Sequence, residues 1–219
     1  MAFPRVLKID PEYPEAELIR KAAAVILTGG VVAYPTDTVY GLGALPSDEE
    51  AVKRIHEMKK RAGKPIPLIL SDTSQAFKYG VMTKKALMLA ENFWPGPLTI
   101  IVEAKPGLSD LITLGTGKIG LRVPDHKVAI ALSEMCGGAI TGTSANISGA
   151  VSPRTADEVI AQLDGFIDLV IDSGPARYGL SSTVIDVTTK PPTILRIGPL
   201  DPEEIESVLG EKVVVATKS

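Results

Sequence analysis

Val31-Val32-Ala33-Tyr34-Pro35-Thr36-Asp37-Thr38-Val39-Tyr40-Gly41-Leu42-Gly43 is the stretch that decides the fold class. Val31 to Tyr34 is a short apolar run ended by Pro35, which reads as a buried strand. Upstream, Ala16, Ile19, Ala23 and Ile26 recur at helical spacing within Pro14 to Leu27, and Gly29-Gly30 stops that helix. Helix, glycine stop, buried strand, then a loop rich in small hydroxyls and glycines is the grammar of an α/β protein.

The alternation continues outward. Ser47 with Glu50 reads as a capping box for a helix burying Ala51, Ile55 and Met58. Pro67 to Leu70 reads as a strand, Thr83 to Phe93 as a helix ending at Trp94-Pro95-Gly96-Pro97, and Leu98–Val102 and Ile119–Val123 as strands. Asp125 caps a helix to Cys136. Ala139–Thr141 is a strand, and Thr155 with Glu158 caps a further helix. Leu169–Asp172, Ser182–Val187 and Thr193–Arg196 are strands, and Asp201, Pro202 and Glu204 open a last helix. The expectation is one α/β domain over 1–219, core about 14–210: a twisted, open, mixed sheet with flanking helices.

Composition narrows the classes. In 219 residues, Lys plus Arg number 23 and Asp plus Glu 26, a net charge of −3, with 45% hydrophobic residues. That is globular, and too acidic for a nucleic-acid coat, though a local basic patch is compatible with it. A single cysteine, Cys136, excludes a disulfide framework or multi-cysteine metal site. With no signal pattern and no apolar run of membrane-span length, the expected setting is cytoplasmic, with no membrane partner.

The usual motifs fail. There is no Walker loop and no G-x-S-x-G. Gly115-Thr116-Gly117-Lys118-Ile119-Gly120 matches G-x-G-x-x-G but leads into a strand where a dinucleotide turn needs a helix. His56 reads as a helix-surface residue, and with His126 far off in sequence no histidine metal site is expected. Cys136 reads as core. What remains is three loops at strand ends: 35–43, 142–149 (GTSANISG) and Ser181-Ser182-Thr183. Ligands of α/β sheets bind beyond the carboxyl ends of strands. Hydroxyls, amides and backbone N–H groups there supply donors, and Lys59, Lys60, Arg61, Lys64, Arg122 and Arg196 supply cations. Taken together they describe a phosphate and carboxylate site.

These same stretches resemble the YrdC-like family of threonylcarbamoyl-AMP synthases. They are PTDTVYGLG (35–43), KKRAGKP (59–65), WPGPLT (94–99), IGLRVPDH (119–126), TSANISG (143–149), SSTVIDV (181–187) and LRIGP (195–199), in family order. The resemblance covers about 14–210 and looks like the short, single-domain form. It implies an α/β fold with a concave, positively charged cleft. It implies a reaction of L-threonine, bicarbonate and ATP giving threonylcarbamoyl-adenylate and pyrophosphate, with Mg2+ accompanying ATP. A separate transferase complex then modifies the adenosine beside the anticodon of tRNA.

Position by position, the resemblance places Thr36, Arg122 and Ser182 at threonine. It places Lys59, Lys60, Arg61, Lys118, Ser144, Asn146 and Arg196 at ATP, Lys118 standing where many members have a threonine. The spacing from the K-x-R arginine to the following Lys-Pro is one residue short of the usual, so either Lys60 or Arg61 could be the true equivalent. Asp37 reads as structural. Positioning and electrostatics suffice for the chemistry, with no protein nucleophile or metal cage. Two alternatives stay open: a module docking tRNA or double-stranded RNA, marked by steep salt dependence, and a divergent paralogue acting on another carbamoyl-adenylate.

Overall fold

The computed structural model describes residues 5–60 and 64–216. Along the chain run β1 (Arg5–Lys8), α1 (Ala16–Leu27), β2 (Val32–Tyr34), β3 (Gly41–Gly43), α2 (Glu49–Met58), β4 (Leu68–Leu70), α3 (Ala76–Tyr79), α4 (Lys84–Phe93), β5 (Leu98–Glu103) and α5 (Asp110–Thr113). They continue as β6 (Lys118–Arg122), α6 (Lys127–Met135), β7 (Ala139–Thr141), β8 (Thr143–Ser144), α7 (Ala156–Leu163), β9 (Leu169–Asp172), β10 (Thr183–Asp186), β11 (Thr193–Arg196), α8 (Pro202–Leu209) and β12 (Val214–Val215).

The α/β class is as expected, but the strands form two mixed sheets in place of one. The first has the order β1-β9-β2-β3-β8, the second β12-β11-β10-β5-β6-β4-β7. The chain passes between them at Gly142, which joins β7 of the second sheet to β8 of the first. A side chain at Gly142 would collide with Ile69 of β4, so only glycine makes the crossing. In the first sheet, Tyr34 of β2 lies opposite Gly41 of β3, and its fully buried ring occupies the space that side chains at Gly41 and Gly43 would need. The Tyr34 hydroxyl donates to Thr141 O at 2.8 Å and so ties the two sheets together.

Helix packing follows the apolar stripes. Ile19, Ala22, Ala23 and Ile26 of α1 are buried in one core with Val32, Leu169 and Ile171 of the first sheet and with Val128, Ala129 and Leu132 of α6. A larger core joins α2, α4 and α7 to the second sheet, around Leu68, Leu98, Ile100, Leu121 and Ile185. Fully burying such a side chain stabilises the fold by about 1.5–3 kcal/mol.

Local corrections concern helix caps. The N-cap of α2 is Asp48, which accepts from Ala51 N at 3.0 Å, and not Ser47. The N-cap of α6 is His126, not Asp125, whose carboxylate pairs with Arg177 at 2.8 Å. Gly115-Thr116-Gly117 turns into β6, as the sequence implied. Among the described residues no helix is long and apolar enough to cross a membrane.

Candidate functional site

The loop after β2 is shaped by Thr36. Its Oγ1 accepts from the N–H groups of Thr38 (3.1 Å) and Val39 (3.2 Å) and donates to Val39 O (2.6 Å), closing a tight hydroxyl turn. Thr36 is buried within its own loop. That turn aims the next two side chains, Asp37 and Thr38, at Arg122 from the end of β6.

Arg122 is 5% exposed. Of the five donors a guanidinium carries, Nε gives one to Gly96 O at 2.9 Å, Nη1 one to Thr38 Oγ1 at 2.7 Å, and Nη2 one to the Asp37 carboxylate. Two donors remain for a bound anion. Burial pulls the Arg122 pKa down and Asp37 pulls it back up. A guanidinium stays charged in either case. The Trp94–Pro97 turn supplies the Gly96 carbonyl, anchored by Trp94 Nε1 on Leu98 O at 2.7 Å and Gly96 N on Val123 O at 2.9 Å.

The 143–149 loop is a second built unit. Ser144 Oγ donates to Asn146 Oδ1 at 2.6 Å, and Asn146 Nδ2 donates to Ile147 O at 3.0 Å and Ala150 O at 2.7 Å. Lys59, at the end of α2 and 2% exposed, sends its ammonium into this loop. It donates to Ser144 O, to Asn146 O at 2.8 Å and to Asn146 Oδ1 at 3.3 Å. On the far side Arg196 donates to Ser182 O at 2.8 Å and to Ser182 Oγ at 3.1 Å, while Ser182 Oγ shares a 2.8 Å bond with Thr99.

These units face one cavity of about 340 Å3 at the seam between the two sheets. Lys59, Lys64, Arg122 and Arg196 line it, and no Asp or Glu is among its described lining residues. Ser144, Asn146 and Ser182 line it too. Thus Arg122, Ser182, Lys59, Ser144, Asn146 and Arg196 come together as the sequence suggested. Thr36 and Lys60 lie outside the lining, as does Lys118, whose ammonium sits 2.9 Å from Asp186. Arg61 falls outside the described residues. Thr38 lines the cavity and was missed by sequence reading, and Asp37 is the buried ion partner of Arg122. The signal was present: two hydroxyls flanking an acid, with an arginine ending a buried strand. Cys136 is buried core, its thiol pushed up to about 11 by desolvation.

The family model described as "Telomere recombination", the Sua5–YciO–YrdC domain, matches residues 24–198. The chain belongs to that family. It is 45% identical over 195 residues to the threonylcarbamoyl-AMP synthase of Pyrococcus abyssi, covering 88% of this chain and 57% of that protein. The Bacillus subtilis threonylcarbamoyl-AMP synthase is 42% identical, covering 88% of this chain and 56% of its own length. This chain therefore spans less than two thirds of either relative. The structure superposes on P. abyssi Sua5 complexed with L-threonine with a TM-score of 0.91 and 42% identity, over 95% of this chain and 62% of that one. On E. coli YciO the TM-score is 0.85 at 29% identity, over 92% and 99%.

Proposed function

We propose that this chain is a threonylcarbamoyl-AMP synthase. The observation that carries the reading is the cavity at the sheet seam, where, among the described residues, four cations converge with the hydroxyls and amide of the surrounding loops and no carboxylate lines the wall. The names of the relatives and the L-threonine complex of the P. abyssi protein support it.

The chemistry fits that donor set. The threonine amine and bicarbonate give a carbamate with loss of water. A carbamate oxygen attacks the α-phosphorus of ATP, and pyrophosphate leaves with the electron pair of the broken P–O bond. Carboxylate, carbamate and triphosphate are all anions, so they must be neutralised and aligned before they react. The two remaining donors of Arg122 match one carboxylate as a fork, with Ser182 and Thr38 beside it. The 143–149 loop and Arg196 face the nucleotide and its phosphates. With no acidic side chain in the described lining, Mg2+ would be held by the phosphates and water of ATP itself. The product would pass to a transferase acting on tRNA, in a cytoplasmic setting that a buried reduced thiol suits.

The test is pyrophosphate release from ATP by the purified protein. We expect release only with both L-threonine and bicarbonate present. Release without threonine would overturn the assignment in favour of another acceptor. Absent release with salt-sensitive RNA binding would favour the docking module.

A further inference from the structure

Four cations line the cavity at the seam, and three of them are held by protein acceptors. Lys59 donates to oxygens of the 144–146 segment, Arg122 to Gly96, Thr38 and Asp37, and Arg196 to Ser182. Lys64 is exposed and makes no hydrogen bond or ion pair to a described residue. The backbone that carries it is firmly fixed. In Lys64-Pro65-Ile66-Pro67 each proline disfavours the helical conformation of the residue before it, so the segment is extended and stiff. The buried Ile66 donates its N–H to Ile112 O at 2.9 Å, and Pro67 O accepts from Gly142 N at 2.7 Å. Pro67 and Gly142 line the same cavity as Lys64. An ammonium without a protein acceptor thus stands on a rigid mount.

That mount adjoins the 143–149 loop, because Gly142 leads directly into it. The loop therefore has two lysines at hand: Lys59, bonded to its oxygens, and Lys64, on the segment where Gly142 docks. The chemistry distinguishes them. When the bond from the α-phosphorus to the bridging oxygen breaks, the electron pair goes to that oxygen, which becomes a terminal oxygen of pyrophosphate. Negative charge grows on the leaving β-phosphate while that group moves away. A cation fixed on protein acceptors stabilises charge at one place. A lysine with three rotatable donors on a flexible stem keeps contact with a group that moves. Arg122 matches a planar carboxylate as a fork, whereas Lys64 suits a phosphate as a point charge.

We propose that Lys64 binds the β- and γ-phosphates of ATP and stays with pyrophosphate as it leaves, so that this residue sets the affinity for pyrophosphate. The proposal rests on the reading of the cavity as an ATP site. Its consequence is a division of roles: the held cations align the reactants, and Lys64 follows the charge that departs. Removing its charge weakens ATP and pyrophosphate together. AMP and threonine, which lack those two phosphates, are left as they were.

The experiment is a calorimetric titration of the intact chain at constant ionic strength with Mg2+ present, using inorganic pyrophosphate, AMP and L-threonine as separate probes. Lys64→Met is expected to raise the pyrophosphate Kd about tenfold, the loss of one charge-assisted bond, and to leave the AMP and threonine values within about twofold. Lys64→Arg keeps the charge and is expected to stay within about threefold of wild type. Lys84→Met removes the same charge from the exposed start of α4, outside the cavity lining, and is expected to leave the pyrophosphate Kd unchanged. An unchanged pyrophosphate Kd in Lys64→Met, or equal losses for all three probes, would overturn the assignment and leave Lys64 a solvated surface lysine. So would a wild-type chain that binds no pyrophosphate, or a Lys84→Met that matches Lys64→Met. None of these readouts uses turnover. Threonine-independent release from ATP together with a Lys64-dependent pyrophosphate Kd would sink the synthase reading and keep the phosphate site. Threonine-dependent release with an unchanged Kd would do the reverse.

Discussion

Lys59→Met separates two roles that the sequence could not. A lysine read as a phosphate ligand, and lining the cavity, also directs its ammonium at three carbonyl oxygens of the 144–146 segment. A hydrogen bond to a charged group contributes about 1.5–3 kcal/mol net, and two of these three are short enough to count fully. Their loss leaves buried carbonyls unmatched. Methionine in turn relieves the desolvation of an ammonium that is 2% exposed, worth several kcal/mol. The balance is a destabilisation of about 3 kcal/mol, and at this chain length Tm falls by about 6–12 °C. The loop should loosen first, because Ser148 N–H donates to the Lys59 carbonyl at 3.0 Å and Ala145 N–H to Tyr40 O at 2.8 Å. Thermal unfolding followed by circular dichroism, with hydrogen exchange read at 144–150, measures both effects. A variant within about 2 °C of wild type that has normal loop protection but has lost ATP affinity would refute the clamp and leave Lys59 a phosphate ligand alone.

Other outcomes follow from the same geometry. Cys136, with its thiol pushed up to about 11 by burial, should resist iodoacetamide at pH ~8 in the folded protein and react fully in denaturant; rapid native labelling would contradict its place in the core. At Asp186, burial pushes the carboxyl pKa up, but hydrogen bonds from Thr188 and Lys118 outweigh it and hold it below the ordinary value. A depressed folded pKa means its stabilisation is present above about pH 4 and is lost as pH falls through the folded value. Asp186→Asn should therefore flatten the acid limb of urea midpoints taken between about pH 2 and 5, and an unchanged limb would count against this. Lys118→Ala should leave ATP affinity within about twofold, because Lys118 lies outside the cavity lining; a tenfold loss in a binding titration would place it at the nucleotide after all. A Cβ at Gly198 would strike the backbone of Ser181, Ser182 and Thr183. Gly198→Ala should then cost about 2 kcal/mol and about 4–8 °C in Tm, and a neutral result would show that this backbone gives way.

The long elements were legible because their signals are local. The α1 stripe and the Val32–Tyr34 run need only periodicity and a glycine stop. What escaped the sequence depends on distant partners. Arg5–Lys8 has too little pattern to announce a strand, and its state is fixed by parallel pairing with Leu169–Asp172. Gly41-Leu42-Gly43 is a poor strand former, held extended because Tyr34 needs flanking residues without side chains. Ser47 and Asp48 are both good caps, and only geometry chooses between them. The same holds for Thr36 and Thr38. They lie in a turn, so the alternation rule for strands does not say which faces the site. One hydroxyl builds the turn and the other reaches Arg122. The number of sheets turned on a single glycine, Gly142, which reads locally as loop.

The seam also explains why a chain of net charge −3 can hold a site for anions. Net charge averages over a surface, whereas binding responds to the few charges within a screening length of ~8 Å. The cavity collects Lys59, Lys64, Arg122 and Arg196 from three separate stretches of chain. Two of them, Lys59 and Arg122, are buried on protein acceptors and so arrive already positioned. Fixed charges of this kind need no reorganisation when a substrate's charge develops. The acid that balances Arg122 stands behind it, not in front. A carboxylate on the cavity side would have neutralised the arginine at the place where substrate must meet it. Asp37 compensates the buried charge from the opposite wall, so Arg122 can be both stably buried and open to an anion.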